Sequence, residues 1–480
     1  MSADAPIASA LVVVDLQNDL VDPAGAYPRR HVEPWALVQA IAWVADLCRQ
    51  QDRPVVWVRA RYGELGDDPG LRGRTHLGGP CCVRGTWGAE PPETIASAVA
   101  ASDWILDKQY YSAFEGTDLE ARLRAAGIGR VLLAGVATNV CVLATARDAR
   151  ARGFEVVALA DACAAGTSGK HTAALREITA LGGEVRSWVD LAGELPRPVE
   201  IRGLGAGGTT LVCGGLHAVI DDPTFAALEA EIEWSSMLHR GGEVPRLVAL
   251  QGDRTGDDAE PLYRHPADGQ PPLAPWTSTV DRIRLEVQKI VGHPLNHGLL
   301  QLYRSGRDFI REHADKTLDV ARPSRIVNVS IGRRRTMVLR PKDAPSGAPA
   351  RLQKIPLPSG SCLLMDLETN RRFAHAIRQE GASDDDGPRI SLTFRHIGTW
   401  WDPETRAVWG SGGRTRDRQE AEAHARARAA LPELERAAWE RAEAERLLIL
   451  FRAENLDPDF DVAAYAEGFE VVDFRSLQRE

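Results

Sequence analysis

The sequence predicts an α/β domain built on a doubly wound parallel sheet, followed by a mainly β domain of jelly-roll type and a helical C-terminal tail. Three observations predict it. Short apolar runs alternate with helical patterns from about residue 8 to 192, β-like runs with few helices follow residue 210, and residues 417 to 453 are dense in Ala, Glu and Arg.

The alternating runs are ALVVVD, PVVWVRA, DWILDKQ, RVLLAGVA, EVVALADA and EVRSWVDL. Strands separated by helices imply a parallel sheet covered on both faces, with its ligand site at the carboxyl ends of the strands. The Pro- and Gly-rich segment ELPRPVEIRGLGAGG ends the alternation. It predicts a first domain over 1–193, a linker over 194–208, a second domain over 209–415 and an extension over 416–480. Gly203, Gly205 and Gly208 match G-x-G-x-x-G, but the β-rich TTLVCGG follows where a dinucleotide site needs a helix N-terminus, so the glycines read as linker. In the second domain RIVNVSIG, TMVLRP, SCLLMDL and RISLTFRHI read as jelly-roll strands. The tail carries LPELERAAWERAEAERLLILF, with apolar residues at helical spacing, and reads as a packing or partner helix.

Bulk composition bounds the function. At 480 residues the chain is too long for one core. A net charge of −9 opposes a general polyanion binder, which needs excess Lys and Arg. Seven cysteines without a repeating spacing fit a reducing cytoplasm. No basic-then-apolar leader opens MSADAPIASALVVVD, and no apolar run approaches the roughly 20 residues that cross a bilayer, so neither secretion nor membrane association is expected.

Asp15 in LVVVDLQND, Lys108 in ILDKQYYSAF and Cys141 in GVATNVCV each end a strand or start the helix after one, so all three can meet at one sheet edge. A cysteine in the first turn of a helix, near an ammonium, is favoured as thiolate. A neighbouring aspartate can take the thiol proton and pass it to a leaving amine. A buried cysteine that merely packs is the alternative. DLQNDL and DKQYYSAFEGTDLEARLRAAGIGRVLLAGVATNVCV, with the spacing between them, resemble the isochorismatase-like cysteine hydrolases over about residues 8 to 192. The resemblance implies a Rossmann-like fold, the triad Asp15, Lys108 and Cys141, and a cis peptide from Val136 to Ala137 that aims backbone N–H groups at an oxyanion. It also implies a homo-oligomer formed through this domain. PVVWVRARYGELG lacks the histidine-rich metal site of nicotinamidases, so a metal-assisted nicotinamidase is not expected, and the resemblance implies C–N hydrolysis of amide, ureido or carbamoyl type.

His313 and Asp315, two apart in LYRSGRDFIREHADKTLD, would share one face of a strand, and His375 follows in RRFAHAI. Two histidines and a carboxylate make the facial triad of non-haem iron(II). Arg389 and Arg395 in PRISLTFRHI add the guanidinium fork that an oxo diacid needs. QLYRSGRDFIREHAD, RIVNVSIGRRRTMVLR, LLMDLETNRRFAHAI and RISLTFR, in that order, resemble the AlkB-like dioxygenases across about residues 210 to 412. The resemblance implies a double-stranded β-helix, iron(II) on His313, Asp315 and His375, and 2-oxoglutarate and dioxygen as cosubstrates. Arg389 with Tyr303 would hold the distal carboxylate, and Arg395 would lie near the metal-bound end. Gln301 and Ser391 depart from the asparagines usual in the family, although both can hydrogen-bond.

Together these readings give a bifunctional enzyme acting on a nitrogenous small molecule, by C–N hydrolysis and by hydroxylation or N-dealkylation. The alternative is a nucleic-acid or nucleobase demethylase with an accessory hydrolase. The run Arg322 to Lys342, with Arg333, Arg334 and Arg335, can serve phosphates, or a solvated edge or the cosubstrate side. Trp234, Tyr263, Trp276, Trp400 and Trp401 can stack on a planar base or pack core and rim.

Overall fold

The computed structural model describes residues 7–27, 32–63, 81–193, 197–239, 242–256, 258–266, 271–343, 352–380, 387–474 and 477. The chain divides into two units, Met1–Val199 and Glu200–Glu480.

Each apolar run of the first half supplies a strand: β1 (Ser9–Val14), β2 (Val55–Ala60), β3 (Trp104–Lys108), β4 (Arg130–Val136), β5 (Glu155–Ala164) and β6 (Glu184–Arg186). All pair in parallel, in the order β3-β2-β1-β4-β5-β6. Every residue of β1 is buried, as a central strand covered on both faces must be. The chain moves outward from β1 to β3 and then returns to the other side of β1 as β4. This reversal opens a crevice at the carboxyl ends of β1 and β4. The last run, EVRSWVDL, is a strand only as far as Arg186, and Trp188–Gly193 is helical with Trp188 buried.

The second unit contains β7 (Val199–Leu204), β8 (Thr209–Cys213), β9 (Ser235–His239), β10 (Gly242–Gly252), β11 (Glu260–Pro261), β12 (Leu273–Ala274), β13 (His297–Tyr303) and β14 (Ile310–His313). It continues with β15 (Arg325–Gly332), β16 (Arg335–Pro341), β17 (Gln353–Leu357), β18 (Ser361–Asp366), β19 (Phe373–Ile377), β20 (Arg389–Arg395), β21 (Thr399–Trp401) and β22 (Val408–Gly410). A nine-stranded sheet runs β12-β10-β13-β20-β15-β18-β8-β7, with β9 on β10, and a four-stranded sheet runs β14-β19-β16-β17. These two sheets form the jelly roll.

Alternation along the strands sorts the two faces of the large sheet. Leu300 and Leu302 of β13, Val327, Val329 and Ile331 of β15, and Ile390, Leu392 and Phe394 of β20 pack in one core with Val280, Ile283 and Val287 of helix Ser278–Val291. The intervening residues Gln301, Tyr303, Asn328, Ser391, Thr393 and Arg395 line a cavity toward the small sheet.

The stretch expected as a linker is corrected where it is described, residues 194–196 lying outside the described residues. Val199–Leu204 is β7, paired to β8 at the edge of the large sheet. Gly203, Gly205 and Gly207 have φ of 73°, 62° and 108° around the turn between them, and a Cβ on Gly205 would meet Thr369 at 2.2 Å. The glycines serve a tight hairpin packed on its neighbour.

The tail forms helices Arg418–Ala429 and Glu433–Leu456. Leu447, Phe451, Phe460, Phe469 and Phe474 close a separate core that includes Leu318 of the second domain. Among the described residues no helix is long and apolar enough to cross a membrane.

Two candidate active sites

The first site lies at the crevice of the parallel sheet. Asp15 follows the last residue of β1 with a left-handed φ of 53° and is 1% exposed. Lys108, the last residue of β3, donates from Nζ to Asp15 Oδ2 at 2.8 Å, and to the carbonyls of Tyr110 at 2.9 Å and Tyr111 at 3.2 Å. Asp15 Oδ1 is buried with no hydrogen-bond partner among the described residues. After β4 a cis peptide joins Val136 to Ala137, and a π-helical turn, Thr138–Val142, carries Cys141 into helix Leu143–Ala151. Thr145 Oγ1 donates to the carbonyl of Cys141 at 2.7 Å and accepts from Ala113 N at 3.0 Å, tying the turn to the loop after β3.

Asp15, Ala137, Asn139 and Cys141 line one cavity with Tyr62, Tyr111 and Lys170, while Lys108 is buried behind Asp15. Burial pushes the thiols of Cys48 and Cys213 up to about 12 and those of Cys163 and Cys362 higher still, so these four are inert packing groups. Gln17 is a residue that the motif reading passed over. Fully buried, it donates to the carbonyls of Ala60 and Ala89 and accepts from Ala60 N, fastening the segment after β1 to the end of β2. Its signal was a second polar residue, two places after Asp15, at the end of the apolar run in VVVDLQ.

The second site lies between the two sheets of the jelly roll. His313 and His375 are register partners on β14 and β19, with ring centroids 4.3 Å apart. Asp315 does not share a strand with His313, as its spacing suggested. β14 ends at His313, and a loop brings Asp315 Oδ1 to 3.7 Å from His313 Nε2 and 3.9 Å from His375 Nε2. One ligand atom from each of the three lies within 4.8 Å of the others. His313 Nδ1 sits 2.8 Å from the carbonyl of Arg311, an arrangement that directs the lone pair of Nε2 to the site. Burial lowers His313 and pushes His375 down to about 3, keeping the imidazoles neutral as metal ligation requires. Burial opposes ionisation of Asp315, but the Arg395 guanidinium, by its charge and its hydrogen bonds, outweighs it and holds the carboxyl below its ordinary range.

Arg395 donates to Asp315 Oδ2 from Nη2 at 2.7 Å and Nε at 3.2 Å, and lies 4.3 Å over the Tyr263 ring. Arg389 is buried 5.1 Å over the Tyr303 ring, and Tyr303 OH donates to Gln301 at 3.1 Å. Nη1 of each arginine and Nδ1 of His375 have no partner among the described residues. Two buried spare guanidinium nitrogens suit an oxo diacid, and the converging nitrogen and carboxylate donors suit iron(II), so the residues present fit both groups.

Asn328, not singled out by its motif, bridges the departure at Ser391. Its Nδ2 donates to Ser391 Oγ at 2.8 Å and Thr393 Oγ1 at 3.0 Å, while Oδ1 accepts from Arg389 Nη2 at 3.2 Å. The polar 328 and 330 positions, two apart in apolar RIVNVSIG, were its signal. Of the arginine run, Arg335 is buried and donates to the carbonyls of Ser305, Asp308 and Arg378, so it holds a turn together. Of the aromatic candidates, Tyr263 lines the cavity and Trp276 packs on Phe394 at 5.9 Å.

A family model described as isochorismatase domain matches residues 9–190, and one described as 2OG-Fe(II) oxygenase superfamily matches residues 217–395. The human DNA oxidative demethylase ALKBH2 is 32% identical over 218 residues, covering 43% of this chain and 78% of that protein. Nicotinamidase 3 of Arabidopsis thaliana is 31% identical over 170 residues, covering 35% of this chain and 80% of that protein. The isochorismatase family protein YecD of Escherichia coli O157:H7 is 34% identical over 184 residues, covering 37% and 92%.

Proposed function

The chain belongs to the isochorismatase family through its first unit and to the AlkB-like 2OG-Fe(II) oxygenases through its second, and from that premise we propose that it joins C–N hydrolysis to oxidative hydroxylation or N-dealkylation of one nitrogenous small molecule or within one pathway. What supports this reading is one chain holding both a cavity with Asp15 and Cys141 and a cavity with three metal-ligand atoms within 4.8 Å.

In the hydrolase, Cys141 is the nucleophile, Asp15 the acid and base, and Lys108 the cation that pairs with the buried Asp15 carboxylate and orients it. Cys141 Sγ adds to the substrate carbonyl as Asp15 Oδ1 takes the thiol proton. The proton passes to the leaving nitrogen as the C–N bond breaks, and water then releases the acyl group from sulfur. Backbone N–H groups of the turn from Ala137 to Cys141 hold the developing oxyanion. An amide, ureido or carbamoyl group is the bond cleaved.

In the dioxygenase, His313, Asp315 and His375 hold iron(II), and Arg389, with Tyr303, Gln301 and Ser391 around it, binds the distal carboxylate of 2-oxoglutarate. Arg395 fixes the orientation of Asp315. Iron(II) with 2-oxoglutarate and dioxygen supplies the oxidation of a C–H bond beside nitrogen, with loss of carbon dioxide and formation of succinate. The apolar wall of Leu250, Met337 and Ile377 keeps water from the reacting carbon.

The test is to incubate the purified chain with iron(II), 2-oxoglutarate and a panel of N-alkylated amides and ureides. One compound should yield both succinate and a released amine or ammonia, with succinate lost in His313→Ala and C–N cleavage lost in Cys141→Ala. Turnover of unrelated compounds at the two sites would sink the shared substrate. The name of the human relative favours a second reading, oxidative demethylation of a nucleic acid. Demethylation of a methylated oligonucleotide that outpaces every small molecule, unaffected by Cys141→Ala, would replace the first reading with the second.

A further inference from the structure

The loop that carries Asp315 leaves β14, and residues 314–317 pair with no strand among the described residues, so their buried backbone amides need other acceptors. Four consecutive amides find them in four side chains. Ala314 N donates to Asn455 Oδ1 at 2.8 Å, Asp315 N to Asn370 Oδ1 at 2.8 Å, Lys316 N to Tyr263 OH at 3.1 Å and Thr317 N to Glu454 Oε1 at 3.0 Å.

Two of the four acceptors, Glu454 and Asn455, stand at the end of helix Glu433–Leu456, beyond the span that matches the oxygenase superfamily. Glu454 is 2% exposed and both its oxygens are engaged, Oε1 also by Thr317 Oγ1 at 2.5 Å and Oε2 by Tyr465 OH at 2.8 Å. Lys316 turns its buried Nζ to the carbonyl of Phe451 at 2.9 Å and to Asn455 Oδ1 at 3.5 Å.

We infer that the C-terminal extension is a working part of the dioxygenase centre: Glu454 and Asn455 are positioning residues that hold the 314–317 loop, and with it the Asp315 carboxylate, in place for the metal. The inference rests on the reading of His313, Asp315 and His375 as ligands. A helix contributed from about 140 positions away fixes the amides on either side of Asp315, while Asn370 and Tyr263 fix those of Asp315 and Lys316. Groups that orient a metal ligand in this way change metal affinity by about 10- to 100-fold when removed.

The test uses the full chain, metal-free, titrated with manganese(II) while the free ion is followed by its paramagnetic resonance. Asn455→Ala should weaken binding on the order of 10-fold. Asn455→Asp, which keeps an oxygen for Ala314 N and Lys316 Nζ, should restore most of it. Glu454→Ala should weaken binding at least as much, with Glu454→Gln closer to the parent. Leu447→Ala, in the core of the same helix, is the control: it should lower the melting temperature and leave the manganese affinity of the folded protein unchanged. Parent-like manganese binding in Asn455→Ala overturns the inference, and so does a loss in Leu447→Ala as large as in Asn455→Ala. Failure of the parent to bind manganese, or full binding by His313→Ala, overturns the ligand assignment itself and the inference with it.

Discussion

The two cavities handle buried charge in opposite ways. In the first, Lys108 and Asp15 form a matched pair at 2.8 Å, both buried, at the ends of β3 and β1. In the second, Arg395 pairs with the buried Asp315, while Arg246 and Arg389 are buried with no ion-pair partner among the described residues, and each of the three guanidinium groups retains a nitrogen with no partner among the described residues. A buried donor left unsatisfied costs about 1–3 kcal/mol. The matched site is electrostatically complete in itself and acts through the spare oxygen of Asp15. The unmatched site carries donors whose cost is offset only when anionic ligands arrive. One centre is built to react and the other to be filled.

The largest effect that can break this comparison is at the nucleophile. Cys141→Ala should lower C–N hydrolysis by ~10³-fold or more, because the covalent route is lost, and leave 2-oxoglutarate consumption unchanged. Parallel assays of ammonia and succinate on the same sample decide it. A matching fall in succinate would show that the two centres are not independent.

Deleting one cation from each site sharpens the contrast. Lys108→Met strands a buried carboxylate and should destabilise the first unit by about 3–5 kcal/mol, read by chemical denaturation. Arg389→Met removes a cation that the protein holds in excess. It should weaken 2-oxoglutarate binding by about 2–5 kcal/mol, read by calorimetry under anaerobic conditions, and change the ligand-free stability far less than Lys108→Met does. If Arg389→Met cost as much stability as Lys108→Met and left 2-oxoglutarate binding intact, the surplus donors would be structural.

Much of this was legible in the sequence because it rested on local pattern. The six runs from ALVVVD to EVRSWVDL alternate with helices closely enough to define a parallel sheet, and strand ends then place Asp15, Lys108 and Cys141 at one edge. RISLTFR shows its two faces by simple alternation. What the sequence did not yield depends on contacts between distant segments. Arg335 reads as one of three arginines for phosphates, a solvated edge or the cosubstrate side until Ser305, Asp308 and Arg378 present their carbonyls to it. Glu454 reads as one acidic residue among many on an Ala/Glu/Arg-rich helix until Thr317 meets it. The glycines near 205 pointed to a linker because a hairpin turn and a flexible joint draw on the same residues.

The effect with the smallest step is in acid, about one proton per histidine, and it again separates the two units. His297 on β13 is 2% exposed, and burial with the neighbouring Arg395 pushes it down to about 3. In the unfolded chain the same ring titrates near 6.5. Between these values the unfolded state binds a proton that the folded state does not, so stability falls as pH falls from about 6.5 toward 3. The slope is about 1.4 kcal/mol per pH unit for each such histidine. His375 behaves alike in the metal-free protein. Among the described residues of the first unit no histidine is buried, so none of these takes up a proton in that way in that window. Denaturation of the metal-free chain at stepped pH should therefore show the second unit losing stability first below about pH 6.5, with His297→Leu flattening its slope by close to one proton. An unchanged slope in that variant would mean that His297 is not the group taking up the proton. Equal slopes in the two units would mean that buried histidines do not set the difference between them.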